Sequence, residues 1–411
     1  MILSEGVRAL RRVLIMGLAA LPLVTCLGPA LSAQAAGPPA ITGESAVLED
    51  LTTGQILYAK NANLSLPPAS ITKIMTALLA LKYGPPLSEE ISVPREAQGV
   101  PGSSVYLVAG QKMTFRDLLY GLLLRSGNDA AVAVAILTAG SVPRFVRMMN
   151  AECAALGCTH THFANPHGLQ QSGHYVSARD MALIARAAMD VPEFRRIVST
   201  KTYPFPGYPK PFTLINQNRL LWTYPGATGV KIGFTNQARE TIVASAQRGD
   251  LDLATVVLHT TERSRWTDSA ALLSWGFANF TQVTVLKKGE VVGHARTASG
   301  KRITLVSNET VPWIVARGTR PATTVRLDVP ALHAADIRRG EALGTASVEV
   351  DGKKIATVTA TAATSVIPPA SDSWVMPLAA ALVVFWALLR LRRRKRRRSL
   401  QMYRYRANMS R

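Results

Sequence analysis

The sequence predicts an α+β fold. An antiparallel sheet with helices and an all-helical part comes first, then a small all-β domain, then an apolar C-terminal helix. Three observations carry this. Strand-like runs near Ala46–Tyr58 and Gly229–Leu258 flank a middle dominated by helical periodicity. From about residue 281 the texture changes to short alternating runs punctuated by the turn pairs Lys288-Gly289, Ser299-Gly300 and Asp351-Gly352. Finally, Trp374 to Leu389 contains no charge and ends in a dense arginine block. The 411 residues, 48% of them apolar, leave room for two domains of ordinary size.

Taken in order, residues 1–36 read as an export signal. Arg8, Arg11 and Arg12 precede the largely apolar Val13–Leu31, and Ala33-Gln34-Ala35 is a small-x-small cleavage site. An uncleaved anchor is the alternative. Residues 46–50 and 55–58 around Thr53-Gly54 form a hairpin. A helix begins at Ala69-Ser70 and carries Ile74, Met75, Ala77, Leu78, Leu79 and Leu81 to the stop at Pro85-Pro86. Residues 87–112 mix short strands and turns. Helices follow over 115–124, 129–137, 143–157 and 177–189, the last with Ser177 as N-cap and Asp180 in its first turn. The Pro-rich residues 199–226 read as irregular. Strands follow over 229–235, 241–245 and 253–258, then a helix over 267–279. The resulting division is a mixed α/β domain over 37–280, a β domain over 281–365, a linker over 366–373, a transmembrane anchor over 374–391 and a basic cytoplasmic tail over 392–411.

The net charge of +21 is uneven. The basic residues from Arg390 to Arg411 supply about half of it, with no acid among them. A basic tail beside an apolar run argues for a membrane with the tail held inside, and against a nucleic-acid partner. The apolar run is short for a span, but Leu391 and snorkelling arginines extend it. After signal removal, Cys153 and Cys158 remain; they either pair in an oxidising compartment or stay as two buried thiols. His160, His162, His167 and His174 fit no compact ligand set, so no metal and no cofactor are expected.

Three short motifs stand in chain order: Ser70-x-x-Lys73, Ser126-Gly127-Asn128 and Lys231-Ile232-Gly233. Residues three apart share a helix face, so the Lys73 amine reaches the Ser70 hydroxyl. A serine needs a base to become a nucleophile, and a lysine serves once burial or a second cation lowers its pKa. Ser126-Gly127-Asn128 places polar side chains in a tight turn between two core helices.

Each motif alone is weak; together they match the three-part signature of serine acyl-transferases that react with penicillin. The chain resembles the D-alanyl-D-alanine carboxypeptidases, the low-molecular-mass penicillin-binding proteins, over about residues 40–364. Pro-Ala-Ser-Ile-Thr-Lys-Ile-Met-Thr-Ala, Ser-Gly-Asn-Asp-Ala-Ala, Asn-Pro-His-Gly-Leu and Gly-Val-Lys-Ile-Gly-Phe-Thr carry the likeness. It implies a β-lactamase/transpeptidase-like catalytic domain and a role for each matching residue. Ser70 attacks the carbonyl between the last two D-alanines of a peptidoglycan stem peptide, Lys73 takes its proton, and Ser126 relays a proton to the leaving amine. Asn128 bonds the substrate backbone. Lys231 supplies charge that lowers the Lys73 pKa and helps hold the terminal carboxylate. Gly233 and Phe234 belong to the substrate strand, with the oxyanion between the Ser70 and Phe234 backbone N–H groups. Arg265 binds the substrate carboxylate, and Asp180 is structural. β-Lactam antibiotics are the implied inhibitors.

One departure bears on activity: Ile232 stands where the family has threonine, removing a hydroxyl from the carboxylate end. The alternatives are an inactive penicillin-binding scaffold or sensor, a D,D-endopeptidase, and a β-lactamase. The last needs a glutamate on a loop before Lys231, and no Glu-x-x-Leu-Asn stretch occurs there.

Overall fold

Strand β1 (Ser45–Asp50) is buried at every position, the pattern of a strand covered on both faces. It is an interior strand of a five-stranded antiparallel sheet that also contains β2 (Ile56–Lys60), β7 (Ala227–Thr235), β8 (Arg239–Arg248) and β9 (Leu251–Thr260), in the order β2-β1-β9-β8-β7. The N-terminal hairpin therefore joins strands some two hundred residues later, through pairs such as Val47 with Val256. This is a computed structural model, and it describes residues 37–297, 300–330, 337–366 and 375–408. The expected leader at 1–36 and the linker residues Pro368–Ser371 lie outside the described residues.

Between the two halves of the sheet lies the helical part: Lys73–Tyr83, Phe115–Leu124, Asn128–Ala139, Val142–Ala155, Ala178–Met189 and Pro192–Ser199. Lys73–Ala80 is buried throughout, as is Asn128–Ala135, so these two helices form the centre of the main apolar core with Phe115, Phe145 and Phe163. Helix starts follow local chemistry. Thr114 and Asp117 make a reciprocal capping box, and Ser177 accepts from the Asp180 amide. Two short strands, β3 (Glu90–Ser92) and β4 (Lys112–Thr114), pair beside this part.

The stretch expected to be irregular at 199–226 is more ordered than its prolines imply. β5 (Thr202–Phe205) and β6 (Phe212–Ile215) pair as a hairpin, and a short helix spans Leu220–Thr223. Proline is tolerated in such a two-stranded ribbon because an edge position needs no ladder donor. Phe205 and Phe212 face each other across it, with ring centroids 5.3 Å apart.

Helix Glu262–Asn279 packs on β8 and β9 and runs straight into β10 (Phe280–Leu286). β10 pairs with β13 (Val311–Ala316). A second five-stranded sheet holds β11 (Val291–Arg296), β12 (Arg302–Ser307), β14 (Thr323–Asp328), β15 (Ala342–Val350) and β16 (Lys353–Ala362), in the order β11-β12-β16-β15-β14. Its core is separate, built on Leu305, Val348 and Val358. A single helix covers Val375–Asn408, and the apolar side chains described within it are exposed. Among the described residues no single helix is long and apolar enough to cross a membrane.

Candidate active site

The turn carrying Ser70 is tighter than the α-helix start expected there. Ala69–Thr72 is a 3-10 helix, and the α-helix begins only at Lys73. With three residues per turn, positions i and i+3 eclipse, which stacks Lys73 on Ser70. The Lys73 Nζ lies 2.9 Å from Ser70 Oγ. Ala69 holds a left-handed φ of 52°. Its carbonyl accepts from Thr72 Oγ1 at 2.9 Å, and Gly168 packs so close that a Cβ there would lie 1.9 Å from the same oxygen. Gly168 also has φ +94°, so both space and backbone demand glycine. His174 braces the turn: its Nδ1 accepts from the Ala164 amide and its Nε2 faces Thr72 Oγ1 at 3.0 Å. That network places the proton on Nε2.

Lys73 is fully buried. Its Nζ also donates to Asn128 Oδ1 and to the backbone oxygen of His167, each at 2.7 Å. Burial, then the charge of Lys231, holds its pKa well below the ordinary lysine value. The Asn128 amide is held on both sides, Oδ1 by Lys73 and one Nδ2 proton by the Pro101 carbonyl at 2.7 Å. Ser126 has φ 66° and a buried hydroxyl with no hydrogen-bond partner among the described residues. Next to them, buried Asp129 accepts from Ser104 Oγ at 2.5 Å and from the Leu107 amide at 3.1 Å. It thereby fixes the 101–107 segment whose Pro101 and Ser103 carbonyls grip Asn128.

The opposite wall is the edge strand β7. Alternate residues of a strand point to opposite faces. Gly233 lies opposite Thr241 on the face toward Ser70: a Cβ at Gly233 would be 2.6 Å from the Ser70 nitrogen, and Thr241 Oγ1 donates to the Pro68 carbonyl at 2.9 Å. Lys231, on the same face, is 2% exposed and donates to the Ile232 carbonyl at 3.1 Å. Burial, and then Arg265, lowers its pKa to about 7. Ile232 and Phe234 point to the other face, into a cleft of about 950 Å³ whose lining includes Ser70, Ser126, Gly233, Glu240 and Arg265.

Ser70, Ser126, Gly233, Phe234 and Arg265 thus border one cleft, with Lys73 and Asn128 in contact behind Ser70 and Lys231 close enough for its charge to act on Lys73. Arg265, expected to await a substrate carboxylate, donates from Nη1 to Glu240 Oε2, while its guanidinium lies 4.6 Å from the Trp266 ring centre. Of the other two histidines, His160 donates its amide to Asp180, and His162 pairs with the Gly173 carbonyl. Cys153 and Cys158 are free thiols. The sequence reading missed Asp129, whose signal was an acid inside an alanine-rich buried helix, and Glu240, whose signal was an acid in an apolar strand. It also missed the role of the His167 carbonyl, for which no signal exists.

Comparison with known proteins gives one direction. Residues 32–262 match the family model described as D-alanyl-D-alanine carboxypeptidase, and residues 280–367 match the C-terminal domain of penicillin-binding protein 5. The D-alanyl-D-alanine carboxypeptidase DacF of Bacillus subtilis is 35% identical over 323 residues, covering 76% of this chain and 83% of that protein. DacC of Escherichia coli is 36% identical over 339 residues, 78% of this chain and 84% of its own. Among solved structures, penicillin-binding protein 5 from Haemophilus influenzae superposes with TM-score 0.69 at 32% identity, covering 81% of this chain and 99% of that one. A Streptomyces K15 DD-transpeptidase mutant gives TM-score 0.56 at 32% identity over 58% of this chain and 99% of its own.

Proposed function

Since this chain belongs to the D-alanyl-D-alanine carboxypeptidase family, we propose that its cleft releases the terminal D-alanine of peptidoglycan stem pentapeptides through an acyl-enzyme on Ser70. The observation that carries this reading is the buried Lys73 amine 2.9 Å from Ser70 Oγ. A neutral lysine has two N–H donors and one lone pair. The Asn128 oxygen and the His167 carbonyl are pure acceptors and take the two donors. The lone pair is left for the Ser70 proton.

Ser70 Oγ attacks the carbonyl between the two D-alanines as its proton passes to Lys73. The oxyanion rests on the backbone N–H groups of Ser70 and Phe234. Ser126 passes the proton from Lys73 to the leaving nitrogen, and D-alanine departs. Water then attacks the ester with Lys73 as base, returning the proton to Ser70 and freeing the shortened peptide. Burial, and then the charge of Lys231, keeps Lys73 deprotonated. Asn128 orients Lys73 and holds the substrate backbone with its remaining amide capacity. β-Lactams acylate the same oxygen.

In this reading residues 1–36 direct export, residues 37–280 form the catalytic domain and residues 281–365 the β domain. The C-terminal helix anchors the protein: Met376–Leu389 is exposed, apolar and followed by arginines. The catalytic domain then works outside the cytoplasmic membrane. The test is D-alanine release from an N-acyl-D-Ala-D-Ala peptide by the full-length protein in detergent, with Ser70→Ala as control. Binding of labelled penicillin without D-alanine release would favour the inactive scaffold and sink the carboxypeptidase reading.

A further inference from the structure

We propose that Glu240 is a specificity-determining residue: it holds Arg265 as an internal carboxylate, so that a free C-terminal carboxylate on the substrate gains little at this end of the cleft. The inference rests on the carboxypeptidase reading and concerns which leaving residues that site accepts. Glu240 lies directly across from Phe234, and Ile242 from Ile232, so these side chains share the β7–β8 face turned away from Lys231, Gly233 and Thr241. In the carboxypeptidase reading Arg265 receives the leaving residue's carboxylate, so that carboxylate meets this face of the cleft.

On that face Arg265 Nη1 already donates to Glu240 Oε2, and each side chain is only 11% exposed. Trp266 covers the guanidinium. A pair this shielded from water is weakly screened, and pulling Arg265 away would strand a buried carboxylate. A substrate carboxylate arriving here therefore competes with an anion that is covalently part of the site. Ile232, which lines the same cleft, offers it no donor. Glu262 and Arg219 border the pair and are felt by Glu240 and Arg265 respectively, so the immediate surroundings of the pair add one acid and one cation, while the other arginines of the cleft lining, Arg125 and Arg239, are exposed and screened by water. The chemistry thus fits D-alanyl bonds whose leaving residue is amidated or extended nearly as well as those ending in free D-alanine.

The test uses full-length protein in detergent and two N-acyl peptides, one ending in D-Ala-D-Ala and one in D-Ala-D-alaninamide. In the native enzyme, kcat/KM for the free acid exceeds that for the amide by less than about tenfold, the size of one charge-assisted hydrogen bond. Glu240→Gln raises that ratio at least about tenfold, through a lower KM for the free acid. Glu240→Ala, which needs no amide geometry, moves it in the same direction. A native preference above tenfold overturns the proposal, and so does a ratio unchanged or lowered in both variants. The native measurement stands even where neither variant folds. Absence of D-alanine release from the native enzyme with either peptide removes the carboxypeptidase reading itself, a separate and recognisable failure.

Discussion

Gly233→Ala tests how closely the sheet edge and the nucleophile turn are matched. The added Cβ would lie 2.6 Å from the Ser70 nitrogen, 2.6 Å from Thr241 Oγ1 and 3.0 Å from the Ala69 Cβ. Two of these three neighbours belong to the backbone turn that presents Ser70, and the third is tied to that turn through Pro68. None can swing aside as a long side chain would. Restoring an ordinary contact of about 3.5 Å requires β7 to retreat by roughly 1 Å. That retreat widens the gap between the Ser70 and Phe234 amides. A misplacement of about 1 Å costs on the order of 10²-fold in rate, similar to losing one oxyanion donor. Overpacking costs about 1–3 kcal/mol, a loss of a few degrees in Tm for a domain of this size. The expected result is acylation by a fluorescent penicillin slowed about a hundredfold in a protein that still melts cooperatively. Acylation within threefold of native, in a folded variant, would refute the claim that this contact sets the oxyanion geometry.

The remaining predictions follow from the same geometry. Lys231→Met removes a cation that opposes protonation of Lys73, so the Lys73 pKa rises and the acid limb of the acylation pH profile moves to higher pH; an unmoved limb excludes the charge coupling. Asn128→Asp sets an anion on the Lys73 amine and shifts the limb the same way, again read by acylation rate against pH. Gly168→Ala, forced against the Ala69 carbonyl at a left-handed φ, destabilises the fold by about 2–4 kcal/mol, measured by urea midpoint. Glu49 is fully buried, has neither carboxylate oxygen hydrogen-bonded, and is pushed up by burial to about 7 from its ordinary 4.5, with Arg186 only partly opposing. A raised acid favours the fold below its unfolded pKa and loses that contribution as pH rises through the folded value. Native stability should therefore fall by up to about 3 kcal/mol between pH 4.5 and pH 7 from this group, and Glu49→Gln should flatten the profile in paired urea titrations.

Much of this molecule was readable residue by residue. The hairpin at 46–58, the helices from Phe115 and Ser177 and the strands around Lys231 follow from apolar period and capping chemistry that act within a few residues. The hairpin β5–β6 was hidden because its prolines mimic a loop, β13 because Pro312 interrupts a short apolar run without alternation, and β16 because its alternation of threonine with alanine and valine is weak. Ser70, Lys73, Ser126 and Lys231 were legible as candidates because each lies in a motif of reactive residue types.

The amino-acid order by itself determined most of the helix and strand segments and which side chains are candidates for the chemistry, since both depend on local spacing and on functional groups. Folding in three dimensions decided the rest. It set the 3-10 turn that eclipses Lys73 on Ser70, the commitment of Asn128 to Lys73, the use of the His167 carbonyl and the pairing of Arg265 with Glu240. The reason is physical: these partners lie from three to more than ninety residues apart, and a backbone oxygen is the same on every residue. Only the register of β7 on β8 and the packing of Gly168 on Ala69 select which of them meet.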